Sequence, residues 1–291
     1  MAKFEFGFEE QWFRLIIKKL PANPDLFQPK LVEKAQSILR VGKLKVGAAK
    51  VWAEAAGIIH KKKQHYFLTP LGRLIAHHDP DFEEDGIWQA VHYNLACKEN
   101  SAWFYAFYFN EFELDRFDRD TLEKQMRACW DQNNAKPMTD NVFNKLIFAP
   151  FKQVLEGTRL GDGFGFFKSS GNNEYFRLPI GTKTPPMAIF AYALLDWAKQ
   201  RQRLSVHLEI LLQQYGIGKI FRLNRGVLDS LLIEIGEQYE KQVGWISHTA
   251  GLNSISLMDL PPLALISAYY HQLDGNDPIT ALKKGREEII T

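Results

Sequence analysis

Cysteine is nearly absent: Cys97 and Cys129 are the only two in 291 residues. Two thiols cannot make a disulfide framework or a complete zinc site, so they read as core thiols in a reducing compartment. No run of residues is apolar for the roughly 20 positions that a bilayer crossing needs. The opening MAKFEFGFEEQWFR carries charge where a secretory leader needs its apolar region. The expectation is a cytoplasmic protein without a membrane partner. A nucleotide loop is also missing. Gly42 to Lys50 lacks the GK[ST] ending of a Walker motif, and the glycine-rich Gly161 to Gly165 precedes a strand pattern instead of opening a helix. Finally, the chain lacks a strong net charge, with 36 basic and 34 acidic residues giving +2. Any electrostatic function has to come from local segregation of charge.

That segregation exists. Between residues 40 and 63 stand Arg40, Lys43, Lys45, Lys50, Lys61, Lys62 and Lys63 against the single acid Glu54, a local net of +6. The spacing predicts a helix from Leu44 with Leu44, Ala48, Val51, Trp52, Ala55 and Ala56 on one face and Lys43, Gly47, Lys50 and Glu54 on another. Gly57 should end it. Ile58-Ile59 and His65-Tyr66-Phe67-Leu68 flank a basic tip and predict a hairpin, after which Thr69 caps a helix with Pro70 at its first position. Leu31 to Leu39 supplies a preceding helix, and Arg40 to Lys43 the turn of a helix-turn-helix. A basic helix with a basic wing is the footprint of phosphate contact. The candidate DNA-contacting residues are Arg40, Lys43, Lys45, Lys50, Lys61, Lys62, Lys63 and His65. The same layout also serves protein contact, with Lys61 to Lys63 as a solvated turn.

The rest reads as a mainly α chain with short β-hairpins, an α+β class. Tandem winged-helix or helix-turn-helix modules would surround an aromatic helical core, divided as residues 1–78, 79–184 and 185–291. Phe13, Ile16, Ile17 and Leu20 give the first helix its face. His77 to Asp85 is expected as a polar connector whose two adjacent histidines match no metal motif. Gly86 to Phe112 holds two buried aromatic helices, with His92 as a hydrogen-bonded core histidine. Thr121 to Trp130 and Asn141 to Glu156 follow as helices, the second bent by Pro150 and presenting Val142, Leu146 and Ile147. Phe164 to Phe167 and Tyr175 to Leu178 would form a hairpin. Met187 to Gln202 and Leu204 to Tyr215 are expected helices. Asn224 should cap a helix reaching Tyr239, ahead of a hairpin at 244–257. Residues 199–225 carry six bases against Glu209, a local net of +5, which adds Arg222, Asn224 and Arg225 as a second set of DNA candidates. Leu263 to Leu273 is a last helix before a charged end.

Residues 79–120 hold eleven acids and three bases, a net of −8. If the stretch around Asp115 and Asp118 is helical, the two carboxylates converge, the minimum for a magnesium site acting on a phosphodiester. The other reading is helix punctuation, with Asp118 or Asp120 as an N-cap.

VGKLKV (Val41 to Val46), Trp52, Gly57-Ile58-Ile59, LTPLG (Leu68 to Gly72), VHYNLA (Val91 to Ala96), the Trp103 aromatic block and FNEF (Phe109 to Phe112) stand in the order and spacing of a bacterial family. Its members are encoded beside DNA phosphorothioation genes, and the chain resembles the SspB-like proteins of the Ssp sulfur-modification and anti-phage systems. The resemblance is good over about residues 4–156 and looser beyond. One departure is the opening: the family has a Phe-Gly-Gly-His-Glu-Thr-Phe type motif where this chain has Phe6-Gly7-Phe8-Glu9-Glu10-Gln11-Trp12, so Glu9 stands in the place of that His. The resemblance implies a component that binds double-stranded DNA. It would work with a cysteine desulfurase, an ATP-pyrophosphatase-like sulfur transferase and an ATPase, and a homodimer is compatible with it. It also implies an association with DNA nicking, which would call for Mg2+ or Mn2+. Glu111, Asp115 and Asp118 are then the first catalytic candidates. A non-catalytic DNA-binding adaptor or transcription regulator is the alternative.

Overall fold

The computed structural model describes residues 6–97, 102–133, 138–171, 173–249 and 252–290. They form two compact units, Met1–Pro179 and Ile180–Thr291. Helices dominate, and the strands are short and antiparallel, as expected for the α+β class.

In the first unit, α1 (Glu10–Lys19) buries Trp12, Phe13, Ile16 and Ile17. A 3-10 turn at Pro29–Leu31 leads to α2 (Val32–Leu39). Arg40 closes α2 in the left-handed region (φ 55), and Gly42 is the N-cap of α3 (Lys43–Ala55). Gly57 at φ 74 stops α3, because a left-handed backbone there costs glycine nothing. Strands β1 (Ile59–Lys62) and β2 (His65–Leu68) form the hairpin, joined by Lys63-Gln64. The Thr69 Oγ1 accepts from the Gly72 amide at 3.0 Å and starts α4 (Pro70–His78). His77 and His78 therefore end a helix instead of lying in a connector.

The core is the pair α5 (Asp85–Cys97) and α6 (Trp103–Asn110). Every α5 residue from Gly86 to Cys97 is buried, so this helix is enclosed all round instead of amphipathic. His92 is fully buried, with Nδ1 2.9 Å from the Tyr105 hydroxyl, the expected core histidine. After them comes a strand that periodicity did not announce, β3 (Arg116–Asp118), followed by α7 (Arg119–Asn133). Thr139 caps α8 (Asp140–Phe143), a π-helical turn spans Asn144–Phe148, and α9 (Ala149–Gly157) follows. Pro150 has no amide to give to the carbonyl four residues back, and the ladder widens just ahead of it. The stripe shifts accordingly, leaving Val142 exposed while Phe143, Ile147 and Phe148 are buried.

The second hairpin begins later than its aromatic signal. Strands β4 (Lys168–Gly171) and β5 (Glu174–Phe176) join β3 in the order β3-β5-β4. Phe164, Phe166 and Phe167 precede the strand as buried rings in a turn region. Alternation of apolar side chains cannot be read from a run in which every ring is wanted inside. The buried Arg177 guanidinium ties this hairpin to α6, donating to the carbonyls of Tyr108, Phe112 and Leu114 at 3.2, 2.8 and 2.7 Å.

In the second unit, α10 (Met187–Gln200) and α14 (Leu263–Leu273) are almost wholly buried. The expected helix at 204–215 is instead a strand, β6 (Ser205–His207), and the short α11 (Leu208–Leu212). After α12 (Ile217–Ile220), Asn224 caps α13 (Arg225–Gln238) as predicted, and the helix buries Leu228, Leu231, Leu232 and Ile235. Strands β7 (Gly244–Thr249) and β8 (Leu252–Leu257) complete a sheet ordered β6-β8-β7, and the tip, residues 250–251, lies outside the described residues. The charged end is helical, α15 (Pro278–Ile290), with Gly285 packed where a Cβ would stand 2.2 Å from the Ala264 carbonyl oxygen. Among the described residues no helix is long and apolar enough to cross a membrane.

Candidate nucleic-acid interface

Trp52 anchors α3. Its ring is fully buried between Phe8 and Phe104, with centroids 5.6 and 5.9 Å away, and its indole nitrogen donates to the Phe6 carbonyl at 2.9 Å. The C-terminal end is held by Asn94 of α5, whose amide donates to the Ala56 carbonyl at 3.0 Å, and by the Thr69 hydroxyl, which donates to the Gly57 carbonyl at 2.6 Å. The hairpin is fixed from the other side: the Tyr66 amide donates to the Pro24 carbonyl at 2.7 Å, and Phe27 meets the Tyr66 ring edge-on at 5.4 Å. The helix and hairpin are thereby held on both sides, and most of what they leave to solvent is polar or charged.

Those surfaces do not carry all the expected side chains together. The buried arc of α3 centres on Ala49, Trp52, Ala53 and Ala56, all at 0% exposure. Lys43 and Gly47 lie opposite and are exposed, with Lys50 and Glu54 half-buried beside them, as the periodicity predicted. Leu44 was expected inside but is 64% exposed, because it sits at the margin of the arc in the first turn, where none of the described residues covers it. Lys45 lies four residues before Ala49 and so on the inward stripe. It pairs with Glu9 away from Lys43 and Lys50. Arg40, Lys61, Lys62, Lys63 and His65 are exposed. Lys50 lies over the Tyr66 ring at 5.8 Å. Burial raises the Glu54 carboxyl above its usual 4.5, while the charges of Lys50 and Lys61 oppose that shift.

The Glu9–Lys45 pair borders two clefts that sequence reasoning did not single out. One, of about 700 Å³, is lined by Phe6 to Gln11, Lys45, Gln153 and Gly157; the other, of about 440 Å³, by Phe6, Glu9 and Arg40 to Lys45. Gly7 allows this approach: its amide donates to Gln153 at 2.8 Å, and a Cβ would stand 2.5 Å from the Gln153 Cβ. Burial pushes Glu9 upward, but hydrogen bonds from Lys45 and Gln11 and the Lys45 charge outweigh it and hold the carboxyl below 4.5. The unusual Phe6 to Trp12 opening was the signal; what it lacked was any sequence link to Lys45.

The second basic set is largely spoken for. The Asn224 side chain accepts from the Val227 amide at 2.9 Å as the cap of α13. The Arg225 Nε donates to both Asp229 carboxylate oxygens at 2.9 Å, and its other end pairs with Glu209. Arg222 is left-handed (φ 52), and its carbonyl accepts from the Gly181 amide at 2.7 Å.

Nor do the candidate catalytic acids converge. Asp115 stands in a bend and Arg116–Asp118 is a strand, whereas the convergence required a helix through both acids. Asp118 caps α7, accepting from the Thr121 amide at 2.7 Å, and hydrogen bonds from the Thr121 hydroxyl and amide hold it below its usual 3.8. Asp115 faces Arg177, 3.8 Å from its Nε, and Glu111 accepts from the Cys129 thiol at 3.7 Å. Among the described residues these three carboxylates do not gather as ligand atoms within 4.8 Å of one another.

Together the fold and this surface define a mainly helical α+β protein that displays a basic helix and hairpin built on an aromatic core. The chain belongs to the family described as "Protein of unknown function (DUF4007)", which matches residues 5–149 and 162–270. Two solved structures share the fold: a magnesium ion-bound SspB crystal structure and an SspB crystal structure. Each has a TM-score of 0.78 at 18% identity, over 99% of this chain and 95% or 96% of the other. The SspB-like resemblance is thereby borne out in the fold. No curated protein matches.

Proposed function

We propose that this chain is a DNA-binding component of a DNA phosphorothioation and anti-phage system, with α3 and the β1–β2 hairpin acting as a helix-turn-helix and its wing. The observation that carries this reading is the placement of Arg40, Lys43, Lys61, Lys62 and Lys63 as exposed cations on α3, the turn before it and the hairpin, in a fold shared with SspB. Double-stranded DNA is the primary partner. A cysteine desulfurase, an ATP-pyrophosphatase-like sulfur transferase and an ATPase are the protein partners the resemblance supplies.

Strand nicking with Mg2+ or Mn2+ is the finer version of the reading, supported by the magnesium-bound SspB neighbour. Glu111, Asp115 and Asp118 as disposed do not fit such an ion. Their dispersal favours the adaptor, which recognises the target and recruits the sulfur-transfer machinery. The test is supercoiled plasmid incubated with the full chain and Mg2+ or Mn2+, beside an EDTA control. Binding without open circles is the expected result. Metal-dependent open circles would establish a nickase whose acids lie elsewhere than 111–118, unless an Asp115→Ala, Asp118→Ala double variant abolishes them.

A further inference from the structure

The hairpin has two faces, and only one is needed for folding. Ile59, Tyr66 and Leu68 are buried on the inner face. The register pairs His60 with Phe67 and Lys62 with His65, and paired residues share a face of the sheet. All four are exposed. Phe67 is 41% exposed, with the imidazoles of His60 and His65 centred 6.1 and 6.4 Å from its ring. The chain buries most of its aromatic rings; here it presents one, bracketed by two further planar rings, with Lys62 on the same face and Lys63 at the turn.

A flat aromatic ring beside clustered cations is complementary to a nucleobase and its flanking phosphates. In an intact duplex the faces of each base are covered by its neighbours, so stacking is open only to a base without a partner. We propose that the outer face of the hairpin binds an unpaired nucleobase, Phe67 providing the stacking ring and the tip lysines the phosphate contacts. This rests on the DNA-binding reading and adds to it a preference for DNA containing a single-stranded or gapped position. Charge complementarity selects nucleic acid as the occupant over an apolar protein segment, which would leave Lys62 and Lys63 facing nothing.

The experiment uses the full chain with 2-aminopurine oligonucleotides in three forms: single strand, duplex with a one-nucleotide gap, and intact duplex. Wild type should quench the probe in the first two forms. Phe67→Ala should lose that quenching and weaken binding about tenfold, with less than a twofold change on intact duplex. Phe67→Trp should restore both. Because Phe67 is exposed, these variants fold, which far-ultraviolet circular dichroism would verify. Equal loss on all three forms, or binding without quenching, overturns the stacking role and leaves DNA binding standing. No binding of any form by wild type overturns both readings.

Discussion

Glu54 is the one acid in a stretch with seven basic residues, and its environment makes it informative. Burial raises its pKa in the folded chain above 4.5, so the folded state holds the proton more tightly than the unfolded one. Stability must then fall as pH rises from about 4.5 through the folded value. Glu54→Gln removes that loss: its thermal midpoint should exceed wild type at pH 7, with the difference closing below pH 4.5. Glu9 behaves in the opposite sense. Its carboxyl is held down, so its contribution is present above 4.5 and fades as pH falls. Glu9→Gln should cost up to about 1 kcal/mol at pH 7 in urea denaturation. It also frees Lys45 for phosphate, steepening the slope of log affinity against log salt by up to about one. An unchanged slope would show that Lys45 stays out of reach of DNA.

Among the elements, α3, the hairpin and α4 form a joint with little tolerance. The Gly72 backbone passes so close to the hairpin that a Cβ would lie 2.2 Å from the Ile58 carbonyl oxygen. Backbone cannot yield there as a flexible side chain would. Gly72→Ala should cost about 3 kcal/mol, measured as a lower urea midpoint, whereas Gly47→Ala, with open space around the new methyl group, should be neutral or stabilising. Sequence made this joint readable because its signals are local: Thr69 as cap, Pro70 at the first helical position, Gly57 as stop. The three-residue β3 was not readable, since its partner β5 lies about sixty residues on and a strand of that length has no periodicity. Likewise α15 carries so many charges that its narrow buried stripe, Ala281, Leu282 and Gly285, was hidden among them. The candidate acids do not converge for a related reason: helical spacing was assumed where pairing with β5 makes Arg116–Asp118 a strand.

For the whole molecule, a near-neutral total conceals the arrangement that counts. Replacing Lys61, Lys62 and Lys63 by Glu should weaken duplex binding and flatten the salt dependence by about three units in slope. The same change should leave the fold intact, since all three are exposed. Retained affinity would move the basic stretch to protein contact. The cleft at Glu9 illustrates what only the folded chain reveals: the helix periodicity told which face of α3 is polar, but the opening motif and Lys45 meet across 36 residues of sequence.

The hydrogen bond from the Tyr66 amide to Pro24 has an effect outside any binding event. A two-stranded ribbon normally offers its outer backbone groups to another chain, which is how edge strands seed polymers. Here the β2 side is taken up by the loop before α2, and β1 is four residues long and ends in lysines. The exposed Phe67 thus lies on a strand whose free edge is partly closed to sheet extension, and the Pro24 carbonyl that closes it also holds the hairpin in place.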